Sequence, residues 1–187
     1  MHRNTVMTPA PSTVERRLPA NGRGRFRDAM RRALPSLSTA LFGALAWALA
    51  MGLSALVNLL FDHWQTPAKI RLVALLFAAG GALAFPVALF FARLVSAGRS
   101  GETAFAAAFV SLLVFTVAFT SGVFSLQYRF YYAEWHAPAF SVTWAFQFAF
   151  TMAGALVQFA VLGLRLYFPI GFAALFLASL WFARQPR

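Results

Sequence analysis

The stretch from Ser141 to Ala183 runs 43 residues with Arg165 as its one charged side chain. As a single α-helix rising 1.5 Å per residue it would be about 64 Å long, roughly twice the hydrocarbon thickness of a bilayer. A segment this apolar needs a lipid solvent, and one this long needs a break. Composition agrees: 60% of the 187 residues are hydrophobic and 11% are charged, with a mean hydropathy of +0.68. That excludes an ordinary soluble domain.

Three further apolar stretches, Ser36 to Leu60, Ile70 to Val95 and Thr103 to Leu126, each match one span. The long stretch divides at Gly163-Leu164-Arg165-Leu166-Tyr167-Phe168-Pro169, where a cation, an interfacial aromatic and a proline suited to a helix start fall together. The expected fold is therefore an all-α integral membrane protein, a bundle of five transmembrane helices at about 36–60, 70–95, 103–126, 141–164 and 166–183. The alternative has four, with the last stretch forming one long or re-entrant helix. A short C-terminal tail, 184–187, follows. Thr66-Pro67 and Ala137-Pro138 mark helix starts, with Thr66 as an N-cap, and Ser100-Gly101 makes the remaining turn. Pro86 falls inside the second span and is expected to kink it.

Residues 1–35 are a basic tail carrying eight Arg against Glu15 and Asp28. Up to about Gly24 the segment reads as disordered. Over 25–34 the alternation of Phe26, Met30, Ala33 and Leu34 with Arg25, Arg27, Asp28, Arg31 and Arg32 fits a short helix on an anionic membrane surface, or a solvated basic flank that sets orientation. The net charge of +11 is concentrated here instead of along a folded face, so it is read as a topology signal and not as a nucleic-acid surface. It places the N-terminus in the cytoplasm, and fifteen Arg against one Lys with abundant Ala fit a GC-rich bacterial coding sequence, hence an inner-membrane protein. Five spans would put Arg165 on that same side and Arg184 and Arg187 outside; four spans would keep both C-terminal arginines inside. The absence of cysteine removes disulfides, thiolate metal sites and thiol catalysis.

Small residues drive helix association in lipid. Ala40, Ala44, Ala48 and Gly52 form such a row on the first span, with Ser54 and Asn58 extending its polarity, and Ala74, Ala78 and Ala82 form one on the second beside Gly80 and Gly81. On the fourth span Gln147, Thr151, Gly154 and Gln158 fall within a sector of about 60°, and Arg165 returns to the same line. That face should point at other helices, at a cavity or at a partner, because amides facing lipid are costly. Ser111, Ala118, Gly122, Ser125 and Arg129 align on the third span as a partial complement.

The third loop is the densest cluster of chemical groups: Arg129, Tyr131, Tyr132, Glu134, Trp135 and His136. These residues can anchor the chain at an interface, or can recognise an amphipathic ligand such as a lipid head group or a quinone. Asp62 and His63 share that side, so a metal or proton-transfer site with Glu134 and His136 is the weaker alternative. The sequence calls for no cofactor and names no catalytic set; haem is disfavoured because no two helix-borne imidazoles face each other. Three roles remain. The first is an accessory, assembly or regulatory subunit acting through helix packing with lipids and other membrane-protein helices. The second is a small transporter or ligand-binding component using the fourth-span face, and the third is a lipid-processing enzyme using Glu134 and His136.

Overall fold

The computed structural model describes residues 22–62 and 66–185. Residues 1–21 of the expected tail, His63 with Trp64, and Arg187 lie outside them. Every regular element among the described residues is helical: α1 (Gly22–Ala33), α2 (Leu37–Asp62), α3 (Pro67–Ser96), α4 (Gly101–Tyr132), α5 (Val142–Gln158) and α6 (Ile170–Ala183). Four helical segments are long and apolar enough to cross a membrane, namely Leu37–Asp62, Pro67–Ser96, Gly101–Trp135 and Val142–Tyr167; Ile170–Ala183 is apolar but shorter. The surface is correspondingly lined with exposed leucine, phenylalanine and valine.

Local chemistry sets the boundaries, with some departures from expectation. Pro67 opens α3 as predicted, but the Thr66 hydroxyl makes no capping bond. The turn after α3 is made by Gly98, whose φ of +67° is open to a residue without a β-carbon. Ser100 caps α4 by accepting from the Thr103 amide. Pro138 does not start α5; Ser141 does, accepting from the Trp144 amide. Helix α3 continues through Pro86 as one element. Helix α1 begins three residues earlier than expected, exposes Arg27, Asp28, Arg31 and Arg32, and buries Ala33. It packs against α3, whose Arg93 donates to the Leu34 carbonyl at 3.2 Å.

Helix α3 lies between α2 and α4, and small residues permit the approach. A β-carbon on Gly43 would overlap the Phe85 ring, one on Gly52 would meet Ala78, and one on Gly80 would fall 2.5 Å from the Thr120 Cα. The predicted row of Ala40, Ala44, Ala48 and Gly52 is the half-buried shoulder of this seam, closed at Gly52. The fully buried ridge beside it is Trp47, Met51, Ala55 and Leu59. Trp47 Nε1 also donates to Thr116 Oγ1 at 2.9 Å, joining α2 to α4.

The long apolar stretch departs most from expectation. It breaks where predicted: α5 loosens into a π turn at Phe159–Gly163, tightens into a 3-10 turn at Leu164–Tyr167, and restarts after a cis Phe168–Pro169 bond. The break is no hairpin at the end of the bundle carrying α1, however. Arg165 forms an ion pair at 2.8 Å with Asp62, at the opposite end, where α2 finishes. Contacts along α4 then follow one antiparallel order: Arg129 lies over the Trp144 and Phe148 rings, Phe124 touches Phe159, Phe109 touches Phe172 and Phe105 touches Phe176. Finally a β-carbon on Gly101 would lie 4.0 Å from the Ala183 carbonyl. Helices α5 and α6 are thus stacked end to end along α4, and the chain returns to the end from which α2 started. Helix α5 is peripheral, with Ala155 its one buried residue. It is also inclined to α4, since fifteen residues from Trp144 to Phe159 accompany only the five from Arg129 to Phe124.

A broken helix frees backbone groups that lipid cannot satisfy. Here α2 supplies the partners. Ser54 Oγ donates to the Leu166 carbonyl at 2.8 Å and accepts from the Gly171 amide at 3.1 Å, bridging the break. Asn58 Nδ2 donates to the Phe168 carbonyl at 2.9 Å, besides the carbonyls of Ser54 and Leu166.

Two stability predictions follow from these contacts. Ser54→Ala orphans the Gly171 amide and should cost about 1 to 2 kcal/mol in a reversible mixed-micelle unfolding titration. Adding Asn58→Leu should give a non-additive loss, because both side chains serve Leu166. Gly80→Ala should cost about 1 to 3 kcal/mol through overpacking against Thr120, whereas Gly122→Ala should leave the midpoint unmoved, its β-carbon meeting nothing within 4 Å.

Candidate functional site

A cavity of about 450 Å³ opens among the far ends of α2, α3 and α4 and the broken segment between α5 and α6. Each wall follows from a feature already described. The tilt of α5 holds it off α4, the break carries Arg165 back toward Asp62, and the Pro67 start of α3 brings Lys69 to the rim.

Its lining divides by chemistry. Leu59, Phe77, Phe124 and Phe159 form an apolar interior, Leu72 and Leu162 an exposed apolar edge, and Lys69, Gln127, Tyr128, Gln158 and Arg165 contribute the polar groups. Aromatic rings run from the rim inward without a gap. Trp135 lies 5.8 Å from Tyr132, Tyr132 is 4.8 Å from Tyr128, Tyr128 is 6.3 Å from Phe124, and Phe124 is 5.9 Å from Phe159. Phe159 in turn is 5.9 Å from Phe77, and Phe77 is 4.9 Å from Tyr167 at the break. Separations of this order are those of favourable edge and offset ring contacts. Tyr167 belongs to the lining of a second, smaller hollow of about 200 Å³ between α2, α4 and α6, bounded by Trp47, Met51, Leu112, Phe172 and Leu175. The joint is therefore a partition between an apolar pocket and a mixed one.

The residues singled out in the sequence fall into two groups. Gln158 and Arg165 from the fourth-span face, and Tyr131 and Tyr132 from the third loop, meet in the larger cavity. The others do not reach it. Gln147 Oε1 accepts from the Ala137 amide at 2.8 Å, and Thr151 donates to the Gln147 carbonyl at 2.6 Å while lying 3.2 Å from His136 Nε2. These two side chains fasten the third loop to α5. Gly154 is exposed, with nothing within 4 Å of where its β-carbon would be. Arg129 turns away, its guanidinium 5.8 Å from the Trp144 ring centre and 5.3 Å from that of Phe148. Glu134 and Trp135 are exposed, the latter beside Tyr131. On α4, Ser111 and Ser125 are buried while Ala118 is exposed, so the aligned residues of that helix do not form one complementary face. Among the described residues no group of three His, Cys, Asp or Glu side chains is arranged to hold a metal ion.

Lys69, Gln127, Tyr128, Phe77, Phe124 and Phe159 were not singled out as site residues. Part of the signal was present: Phe124, Tyr128 and Tyr132 recur at intervals of four, which stacks them on one face of α4. Nothing in the linear order of residues brings Phe77 or Lys69 to that face. Comparison of the chain with protein-family models, with curated proteins and with solved structures finds no significant match.

Proposed function

We propose that the chain is an integral membrane protein crossing the bilayer four times, which binds an amphipathic molecule in the cavity at the end of the bundle remote from α1. The crossings are α2, α3, α4 and the broken α5–α6 unit. At 1.5 Å per residue the first three rise about 39 to 48 Å, more than the roughly 30 Å core requires, so their ends emerge into the interfaces. The α6 C-terminus lying beside Gly101 supports an even number of crossings. It also removes the charge conflict of a five-span arrangement. Arg27, Arg31, Arg32, Arg93, Arg99 and Arg184 then share one side, which the positive-inside rule makes cytoplasmic, while Asp62 and Glu134 offset cations on the other.

The observation that carries the binding role is the cavity itself, which joins an aromatic and aliphatic interior to a rim of tyrosine, glutamine and cationic side chains. Concave pockets of a few hundred cubic ångströms with a small number of polar groups suit small ligands. An accessory subunit working through helix packing has less support. Within the small-residue seams that would seat a partner, Gly52 packs on Ala78 and Gly80 on Thr120 inside the chain. Transport is a second use of the same cavity, and the apolar hollow beyond Tyr167 favours neither uptake nor retention. An enzyme using Glu134 and His136 is supported least, since His136 faces Thr151 and Glu134 is exposed.

Two measurements test this. Because the chain has no cysteine, single substitutions Ser100→Cys, Ala133→Cys and Gln185→Cys can be labelled in sealed vesicles. Positions 100 and 185 should react from one side and 133 from the other; labelling of 185 together with 133 overturns four crossings. For binding, native mass spectrometry from mild detergent should find one amphiphile retained per chain. Val73→Trp with Gln158→Trp, which fill the cavity, should lower its occupancy at least about tenfold at unchanged unfolding midpoint. Equal occupancy in the filled variant removes the cavity as the site.

A further inference from the structure

We infer that the occupant is an anionic glycerophospholipid, its phosphate held between Lys69 and Arg165 and its acyl region among the aromatic rings, and that Asp62 is the internal counter-ion this phosphate displaces. This rests on the reading of the cavity as a ligand site and names the ligand's class.

The charges are arranged asymmetrically. Both Lys69 and Arg165 line the cavity, whereas among the described residues no carboxylate does. Among the described residues the one ion pair is Arg165 with Asp62 at 2.8 Å, and Lys69 is left with none. The side chains of that pair are 49% and 34% exposed, and exposed pairs of this kind are weak. Exchange of the carboxylate for a phosphate therefore costs little. The phosphate has the advantage, because guanidinium matches its oxygens in a two-pronged geometry and the ammonium of Lys69 adds a second charge. Tyr128, Tyr131, Tyr132, Gln127 and Gln158 supply further donors along the same wall.

The interior excludes a free inorganic anion as the natural occupant. Phe77, Phe124 and Phe159 would face a fully hydrated ion with nothing to bury, whereas a lipid places hydrocarbon there and its head at the rim. Exposed Leu72 and Leu162, which lie at the wall, continue the cavity onto the apolar surface of the helices, giving a diacyl molecule a lateral route from the bilayer. Two cations against one displaceable carboxylate also select a net negative head over a zwitterionic one, whose ammonium would meet Lys69.

The test uses the full chain in mild detergent, with native mass spectrometry counting bound phosphatidylglycerol, phosphatidylcholine and diacylglycerol of identical acyl chains. Phosphatidylglycerol should be retained about tenfold more than either of the others. Lys69→Gln and Arg165→Gln should each erase that preference for phosphatidylglycerol over diacylglycerol. Asp62→Asn, which frees Arg165, should raise phosphatidylglycerol retention by about threefold. Inorganic phosphate at millimolar concentration should not displace the lipid. Equal retention of the three lipids, with diacylglycerol still lost on filling the cavity by Val73→Trp and Gln158→Trp, overturns the anionic head while the binding site survives. Displacement by inorganic phosphate overturns the lipid assignment, and an Asp62→Asn variant that binds phosphatidylglycerol no better overturns the counter-ion exchange.

Discussion

Hydrogen bonding across the break between α5 and α6 is the constraint on which the remaining structure depends. Where the helical ladder is interrupted, the freed carbonyls and amides need new hydrogen-bond partners. Ser54 and Asn58 on α2 meet this need at Leu166, Phe168 and Gly171. They therefore do more than satisfy polar atoms. By holding both sides of the break against one helix they set where α6 begins, and with it the packing of Leu175 and Phe182 in the core.

The break has a second consequence on the other side. With Leu166 fastened to α2, the adjacent Arg165 is brought to Asp62, and Phe159 is brought to Phe77 and Phe124. Helix α5 then leaves the bundle at an incline, and the wedge between it and α3 and α4 is the cavity. The space exists because α5 makes few buried contacts, while the closeness of α2, α3 and α4 beneath it comes from glycine. Gly52 and Gly80 let backbones approach at the seams, which in a lipid solvent supply the packing that hydrophobic burial supplies in water. A tight three-helix frame and a loose fourth element are complementary features of one architecture.

Much of the frame was legible in the linear order of residues. The apolar lengths and the Pro67 helix start each have a local cause, so each could be located before the tertiary arrangement was known. The joint at Gly163 to Pro169 was legible too, because a proline, a cation and an interfacial aromatic do not belong together inside a span. Its depth was not. Arg165 was expected at the end bearing the basic tail; it lies beside Asp62, more than a hundred residues earlier in the chain, because Ser54 and Asn58 hold Leu166 and Phe168 against α2. The polar face of α5 was half informative for the same reason. Gln147 and Thr151 fasten a loop that follows α4, whereas Gln158 and Arg165 enter the cavity, and periodicity alone assigns all four to one stripe.

What the sequence determined by itself is therefore the secondary structure: helices long and apolar enough to cross a membrane, a forced interruption in the last 43 residues, and a cationic excess at one end. Hydropathy, rise per residue and proline geometry are local properties and can be read locally. Only the tertiary structure decided that α5 and α6 share one path along α4, that Ser54 and Asn58 serve the break, and that Lys69 and Arg165 stand in one cavity with the tyrosines of α4. Those outcomes depend on which distant groups must satisfy one another once water is excluded, and that is a property of the packed chain.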